Sequence, residues 1–210
     1  MGRNATVSRV RLILASQSPA RLATLQRAGI EPEVIVSGVD ESAPAPVAPV
    51  DLAQHLARRK VTAVADRTPI EADDEVLIGC DSVLEVDGQA HGKPADADEA
   101  VRRWLTLSGR SAILHSGHHV IRRTEDGLIR EVGRPGSTVV HFAELSAAEI
   151  EAYVATGEPL HVAGAFTIDG YGGPFISRIE GDHHNVLGLS LPLLRILLDE
   201  LGVHWTDLWR

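Results

Sequence analysis

The residue with the clearest chemical potential is Asp81, which interrupts the apolar run IGCDSV at positions 78–83. Strand interiors disfavour aspartate, and a carboxylate withdrawn from water needs a partner or a task. Such a group could serve as a general base or as a metal ligand. It could also mark a bulge at a strand end or pair with a nearby lysine, and the local sequence leaves these alternatives open.

Two lysines and an acidic pair could contribute to the same chemistry. Lys60 and Lys93 are compact cations suited to phosphate oxygens, and Lys93 is constrained by a glycine before it and a proline after it. Asp40 and Glu41 follow a predicted strand and could hold magnesium with water in between. Taken singly, each has an ordinary explanation, because most lysines are solvated and acidic pairs are common in polar turns.

A third candidate is the segment SQSPAR at residues 16–21. Ser18 suits the N-cap of a helix and Pro19 suits its first position. The hydroxyl of Ser16, the free amides of the helix start and the forked cation of Arg21 could then bind phosphate together. The alternative is a capped helix with a surface arginine, which is the better explanation when the segment is considered alone.

Other reactive side chains are weaker candidates. Cys80 lies in the predicted strand without an obvious histidine base, so it is expected to be a small buried residue. The pair His118-His119 would point to opposite faces of a strand. The pair His183-His184 would lie in a turn, and neither pair has the spacing of a zinc site. The chain contains no GxxxxGK(S/T) phosphate loop and no GxGxxG after a strand, so a nucleotide would need another scaffold.

The composition limits the partners and the location of the protein. A formal net charge of -9 on 210 residues disfavours DNA and anionic membranes, because both require compensating positive charge. One cysteine cannot form an internal disulfide, which fits a reducing cytoplasm. The first nine residues lack the apolar core of a signal peptide, and no apolar run reaches the roughly 18 residues of a membrane span. We therefore expect a soluble cytoplasmic protein.

Alternating strands and helices must position these residues. Periodicity and capping signals predict strands at 11–15, 33–36, 76–79 with 82–86, 111–123, 138–144 and 175–179, and helices at 19–28, 51–65, 96–107, 147–155 and 189–201. The alternation predicts one α/β or α+β domain over residues 1–210 with a mixed sheet. A proline-rich loop at 43–49 and a polar link at 124–136 are predicted to be exposed.

The order of these segments resembles the Maf family from about residue 11 to residue 202. The matching segments are LASQSP at 14–19, Lys60, GCDSV at 79–83, GKP at 92–94, LSGR at 107–110, AGAF at 163–166, GD at 181–182 and NVLGL at 185–189. Each segment alone is a modest signal, so the resemblance depends on the succession of several independent motifs in one order.

The resemblance implies a Maf/Ham1-like α/β fold, ITPase-like, with an elongated mixed sheet flanked by helices and a cleft between two lobes. It implies metal-dependent cleavage of a nucleoside triphosphate into the monophosphate and pyrophosphate. It also implies a cytoplasmic and often homodimeric protein, linked to the removal of non-canonical nucleotides and to septum formation or division arrest. Neither DNA nor a membrane is implied as a partner.

Residue by residue, the resemblance gives the catalytic role to Asp81, which would activate the attacking water. Glu41 and Asp81 would hold magnesium or manganese, and the sequence does not separate the base role of Asp81 from the ligand role. The phosphate- and substrate-binding positions would be Ser16, Ser18, Arg21, Lys60, Lys93 and Asp169.

Two positions depart from the family pattern. The family usually carries two basic residues after the proline, whereas this chain has Ala20 before Arg21. One phosphate contact is therefore lost, at a cost of about 1.5 to 3 kcal/mol, or it is supplied by Arg58 or Arg59. At Asp169, the branch that acts on thymidine and uridine triphosphates tends to carry glutamine. An acceptor thus replaces an amide, and the base preference is open.

Two other interpretations compete with an enzyme. Ala20 favours a nucleotide-binding regulator with weak or no catalysis, which would bind nucleotide tightly without turnover. The acidic surface is compatible with a plain interaction protein, whose melting temperature nucleotides would not raise. Retention of Asp81 and both lysines favours the enzyme.

Overall fold

The computed structural model describes residues 10–41 and 47–210. The proline-rich loop predicted at 43–49 lies mainly outside these residues, and its last residue, Pro49, begins a helix. Within the described ranges the chain alternates strands and helices around one mixed sheet. The predicted α/β class is therefore confirmed.

The sheet has the order β2-β1-β3-β5-β6-β7, with β4 also paired to β3. Only the pairings of β1 with β2 and with β3 are parallel, and the remaining pairings are antiparallel. The strands are β1 (Arg11–Leu14), β2 (Glu33–Val34), β3 (Asp74–Val86), β4 (Gln89–His91), β5 (Ser111–Thr124), β6 (Ile129–Phe142) and β7 (Ile176–Glu180).

Six α-helices flank the sheet in the described part of the chain, together with four short 3₁₀ turns. They are α1 (Pro19–Arg27), α2 (Pro49–Arg67), α3 (Ala97–Leu107), α4 (Ala147–Ala155), α5 (His183–Val186) and α6 (Leu191–Glu200). Helix α2 lies directly on the central strands β3 and β5. A Cβ atom at Gly79 would come within 2.3 Å of the Ala57 carbonyl oxygen, and one at Gly117 within 2.2 Å of that of Ala53. Glycine at these two positions therefore permits the close approach of α2.

The apolar core is divided into two main clusters. One packs β1, α1 and α6 together and includes Leu14, Leu25 and Leu194. The other surrounds Trp104, whose indole nitrogen donates to the Ala165 carbonyl at 2.7 Å and whose ring meets neighbouring aromatic rings edge-on. These clusters form two lobes that share the long strands of the sheet.

One predicted connection was wrong. The polar link predicted at 124–136 is mostly strand, because β6 starts at Ile129 and pairs with β5 from that residue onward. Strand β7 joins β6 only from Val139, so residues 129–137 form an exposed edge. An exposed edge strand retains polar side chains and tolerates Pro135. The apolar alternation used to predict strands is therefore missing there.

Candidate active site

A break in the edge pairing of β3 places Asp81 at the base of a cleft. The first half of β3 pairs with β1 through Ile78, and its last residues pair with β4 from Leu84. Residues 79–83 have neither strand as a neighbour on that side. The chain leaving β1 and the chain leaving β4 diverge around this gap, and the resulting cavity has a volume of about 830 Å³.

Asp81 does not mark a strand end, because β3 continues through it without interruption to Val86. Its carboxylate contacts the ammonium group of Lys60 from α2, and both residues are only 7% exposed. The same ammonium group lies 2.6 Å from an Oε1 of Glu41. Lys60 therefore joins two carboxylates that come from separate segments of the chain.

The pKa values of the two carboxylates beside Lys60 are shifted in opposite directions. Burial raises the pKa of Asp81, although the charges of Lys60 and Arg21 oppose this effect. Burial acts in the same direction on Glu41, but its hydrogen bond to Lys60 and the charges of Lys60 and Lys93 outweigh burial and hold the pKa of Glu41 below its ordinary value. The shift at Asp81 therefore favours proton binding, and the shift at Glu41 favours the charged carboxylate.

The SQSPAR segment forms the wall of the cleft that follows β1. Ser18 is the N-cap of α1, and its side chain accepts from the Arg21 amide at 3.5 Å, as the sequence predicted. The hydroxyl of Ser16 accepts from the Ser18 amide at 3.2 Å. Ser16, Ser18 and Arg21 all line the cavity, on the side that leads to Asp81.

Arg21 is a buried, hydrogen-bonded residue and not a surface arginine. Its guanidinium donates to the Gly188 carbonyl at 2.8 Å, to the Ser16 hydroxyl at 3.1 Å and to the Ser82 hydroxyl at 3.0 Å. A Cβ atom at Gly188, where φ is +95°, would lie 3.1 Å from the Arg21 Nε. Arg21 therefore fixes three segments of the cleft while placing a positive charge beside Asp81 and Glu41.

Lys93 reaches the opposite wall of the cleft from a firmly held backbone. The carbonyl of Gly92 accepts from the Gly164 amide at 3.1 Å and from the Arg103 guanidinium at 2.5 Å. Lys93 itself is exposed and lines the cavity. The two predicted lysines thus differ, because Lys60 is buried against carboxylates and Lys93 faces solvent.

The far end of the cleft is formed by the segment 158–169, which includes Asp169, Phe166 and Ile168. Asp169 is exposed there, so all eight residues predicted as site residues line one cavity. Asp40 is not among the lining residues.

Sequence reasoning missed several polar residues of this cavity, among them Ser82 and Glu158. The polar Ser82 beside Asp81 in an apolar strand was an available signal. Glu158 had no local signal, because its partners are up to 14 residues away in the chain.

The proposed replacements for the missing basic residue are not in the cleft. Ala20 lines the cavity, so the position is correctly placed for a substrate contact. Arg58, however, pairs with Glu131 at 2.7 Å on the outer surface, and neither Arg58 nor Arg59 lines the cavity. Both residues precede Lys60 on α2, and Arg58, two positions before Lys60, lies on the opposite face of the helix and is exposed.

Cys80 and the two histidine pairs considered in the sequence do not line this cavity. Burial raises the pKa of Cys80 to about 11, which suits an inert core thiol. His183 and His184 begin helix α5 rather than lying in a turn, and their nitrogen atoms lie within 4.8 Å of each other and of an Asp182 oxygen. The position of Asp182 is explained by its role as N-cap, because it accepts from the His184 amide at 3.0 Å. None of the three lines the cleft.

No helix among the described residues combines the length and apolar character that a membrane crossing requires. The longest, α2, carries charged residues along its length.

Comparison with known proteins gives a family match and two close relatives. The family described as Maf-like protein matches residues 11–201. A protein of Streptomyces coelicolor named nucleoside triphosphate pyrophosphatase is 56% identical over 201 residues, covering 96% of this chain and 95% of its own. A protein of Salinispora tropica with the same name is 57% identical over 201 residues, covering 95% of this chain and 88% of its own.

A solved structure shows a weaker likeness. The nucleoside-triphosphatase / dITP/XTP pyrophosphatase from Mycobacterium abscessus is 21% identical, with a TM-score of 0.34, over 64% of this chain and 75% of that one. Overlap at that level carries no argument about this chain.

Proposed function

Because this chain belongs to the Maf-like protein family, we propose that it is a nucleoside triphosphate pyrophosphatase, which releases the monophosphate and pyrophosphate. The observation that carries the proposal is the convergence of Asp81, Glu41 and Lys60 in the gap of the sheet edge. Around this centre lie the α1 start and Lys93, which provide donors and cations for a substrate with about four negative charges.

The donor set fits a divalent metal ion. The oxygens of Glu41 and Asp81 approach one ammonium group, so both carboxylates face a single cation position. Hard carboxylate oxygens together with substrate phosphates are the usual surroundings of magnesium and also suit manganese. When bound, the ion would neutralise charge on the phosphates and stabilise charge on the leaving group.

The side chains of the cleft divide the remaining work. The hydroxyl of Ser16 and the amide of Ala20 donate hydrogen bonds to phosphate oxygens, whereas the Ser18 and Arg21 amides are already donated within the protein. Lys60 supplies positive charge beside Asp81 at the base of the cleft, and Arg21 and Lys93 supply it from the walls that follow β1 and β4. Asp81 orients a water molecule and accepts its proton as the oxygen attacks the α phosphorus. Asp169 lies at the far end, where the base and sugar would be placed.

The proposal has a direct test. Purified protein with magnesium and a panel of canonical and modified nucleotides should release pyrophosphate. Asp81→Asn should lower the rate by about 10² to 10⁴-fold, while Asp98→Asn, an exposed aspartate of α3, should leave it unchanged. In ¹⁸O-labelled water the label should enter the monophosphate, as attack at the α phosphorus requires. A wild-type protein that releases no pyrophosphate from any nucleotide contradicts the proposal.

A nucleotide-binding regulator is the second candidate. It is favoured by Ala20 and by the guanidinium of Arg21, which already donates to three acceptors within the protein. A regulator would bind nucleotides with micromolar or tighter affinity and show no turnover. Ala20→Arg would then raise affinity without creating a rate, whereas in an enzyme the same change lowers KM for an existing reaction.

The cellular setting is also part of the proposal. The family resemblance supports a single domain over residues 1–210, a cytoplasmic location and a homodimer. It also supports the removal of non-canonical nucleotides and a link to septum formation or division arrest. Deletion of the gene should then raise the mutation rate or alter septum spacing, and an unchanged phenotype in both assays contradicts this part.

A further inference from the structure

The carboxylate of Glu158 gathers hydrogen-bond donors from the segment that forms the far end of the cleft. Its Oε1 accepts from the Thr167 hydroxyl at 2.5 Å and from the Gly172 amide at 3.0 Å. Its Oε2 accepts from the Tyr171 amide at 2.9 Å. One side chain therefore fixes both ends of the loop 167–172.

A buried tyrosine supports the same arrangement from below. The hydroxyl of Tyr153 donates to Glu158 Oε1 at 2.9 Å and accepts from the Thr167 amide at 3.2 Å. Tyr153 is 3% exposed and packs against Trp104 in the second core cluster. The loop is thereby connected to a rigid part of the molecule.

The glycines of the loop allow this close approach. A Cβ atom at Gly170 would lie 2.2 Å from Glu158 Oε2, and one at Gly172 would lie 2.5 Å from the Tyr153 hydroxyl. The backbone therefore wraps closely around the carboxylate, which holds the loop together by accepting its hydrogen bonds. The hydrogen bonds it accepts outweigh its burial, which by itself would raise the pKa, and hold the pKa of Glu158 below its ordinary value.

The loop organised in this way faces the cleft. Thr167, Ile168 and Asp169 line the cavity, and Glu158 lines it beside them. The position of Asp169 therefore depends on a loop whose shape is determined by contacts to Glu158. The phosphate-facing residues belong to other segments and make none of these contacts.

We propose that Glu158 is a positioning residue for base selection, holding loop 167–172 in the conformation that presents Asp169 to the nucleobase. This inference rests on the proposed function. It separates two tasks of the cleft, because phosphate binding belongs to the gap in the sheet edge and base discrimination belongs to the Glu158 loop.

The test replaces the carboxylate with an isosteric amide. Glu158→Gln keeps the volume but has one acceptor oxygen. Its NH₂ group would face the Tyr171 amide if it replaces Oε2, or the Gly172 amide if it replaces Oε1. Tyr153→Phe is a second, gentler variant if the first folds poorly. Glu149→Gln, in the capping box of α4, is the matched control because its carboxylate also accepts backbone and hydroxyl donors.

Two readouts are needed. Amide hydrogen exchange at Tyr171 and Gly172 should accelerate in Glu158→Gln and Tyr153→Phe and stay unchanged in Glu149→Gln. Nucleotide affinities are measured by calorimetry in an Asp81→Asn background, which prevents turnover. The ratio between the affinities of the best-bound and the worst-bound nucleotide should fall by at least about tenfold. The affinity for inorganic tripolyphosphate, which has no base, should remain within about twofold of the parent.

Each outcome decides the inference independently of turnover. Unchanged exchange in both variants, or unchanged base discrimination despite faster exchange, overturns it. Equal loss of affinity for tripolyphosphate also overturns it, because Glu158 would then act on the whole cleft. If the Asp81→Asn protein binds all bases with equal affinity, there is no base selection for Glu158 to support, and this outcome also overturns the inference. Failure of the proposed function is seen separately, as a lack of pyrophosphate release by the wild type.

Discussion

The ammonium group of Lys60 contacts the carboxylate of Asp81, 21 residues later in the chain, inside the gap between β1 and β4. Both side chains are buried. Glu41, whose side chain is more exposed, contacts the same ammonium group from the solvent side. A lysine between two carboxylates compensates their charge in the protein without ligands. In the proposed function the same ammonium group also contacts the phosphates of the substrate.

Removal of Lys60 should impair catalysis without destroying the fold. Lys60→Met retains the buried stem and removes the charge, so Asp81 and Glu41 lose their common partner. We expect kcat/KM for a nucleoside triphosphate to fall by about 10 to 150-fold, corresponding to the loss of one charge-assisted contact of 1.5 to 3 kcal/mol. Arg58→Met on the outer face of α2 is the control and should have wild-type kinetics. Wild-type kcat/KM in Lys60→Met would exclude Lys60 from the site.

Asp169 should influence the choice of base. Asp169→Gln introduces an amide that both donates and accepts, the residue type that the branch acting on thymidine and uridine triphosphates is expected to carry at this position. We expect kcat/KM for thymidine and uridine triphosphates to rise about tenfold relative to the other bases. The measurement is a substrate panel on both proteins, and an identical order and ratio of substrates would contradict this role.

Acid should destabilise the protein through His118. This buried imidazole accepts from the Ser190 amide at 2.8 Å through Nε2, and its Nδ1 lies 2.9 Å from the Ser116 carbonyl. The neutral ring satisfies both contacts, whereas protonation would set Nε2–H against an N–H group. Burial, aided by the charge of Arg21, lowers the pKa of His118 to about 4.

The direction of the pH effect follows from proton binding. Between pH 6.5, the ordinary value for histidine, and about 4 the unfolded chain binds a proton that the folded protein does not. The stabilising contribution is therefore complete above pH 6.5 and is lost as the pH falls to 4, a change on the order of 3 kcal/mol. Urea unfolding across this range should show a shallower pH slope in His118→Gln than in the wild type or in His204→Gln, an exposed control. Equal slopes in all three proteins would contradict this assignment.

The contact between α2 and the sheet should not tolerate a methyl group. In Gly117→Ala the Cβ atom would meet the backbone of residues 53 and 54, which cannot move aside as a side chain can. We expect a loss of about 1 to 3 kcal/mol in the free energy of unfolding, together with lower activity, because α2 carries Lys60. Gly92→Ala meets no atom within 4 Å and is the control for stability. Wild-type stability in Gly117→Ala would show that α2 is free to shift.

Much of the fold was predictable because its elements carry local signals. The apolar run of β1, the Ser18 cap of α1 and a helix at 96–107 were all predicted from the sequence and are present in the structure, the last as α3 (Ala97–Leu107). The edge residues of β6 were not predictable, since an exposed strand lacks the alternation of a half-buried one.

The sequence by itself determined which residues this protein has available for chemistry. The aspartate in an apolar run, the two lysines and the serine-rich helix start were recognisable from residue type and order alone. These features depend on near neighbours in the chain, so they can be read without coordinates.

Only the tertiary structure decided how these residues act together. Strand pairing leaves residues 79–83 without a neighbour on one side, which opens the cleft at Asp81, where the Lys60 ammonium group pairs with both Asp81 and Glu41. It also turned Arg58 outward and brought Glu158 to its loop. Contacts between distant parts of the chain depend on strand register and helix packing, and neither is encoded in any short segment.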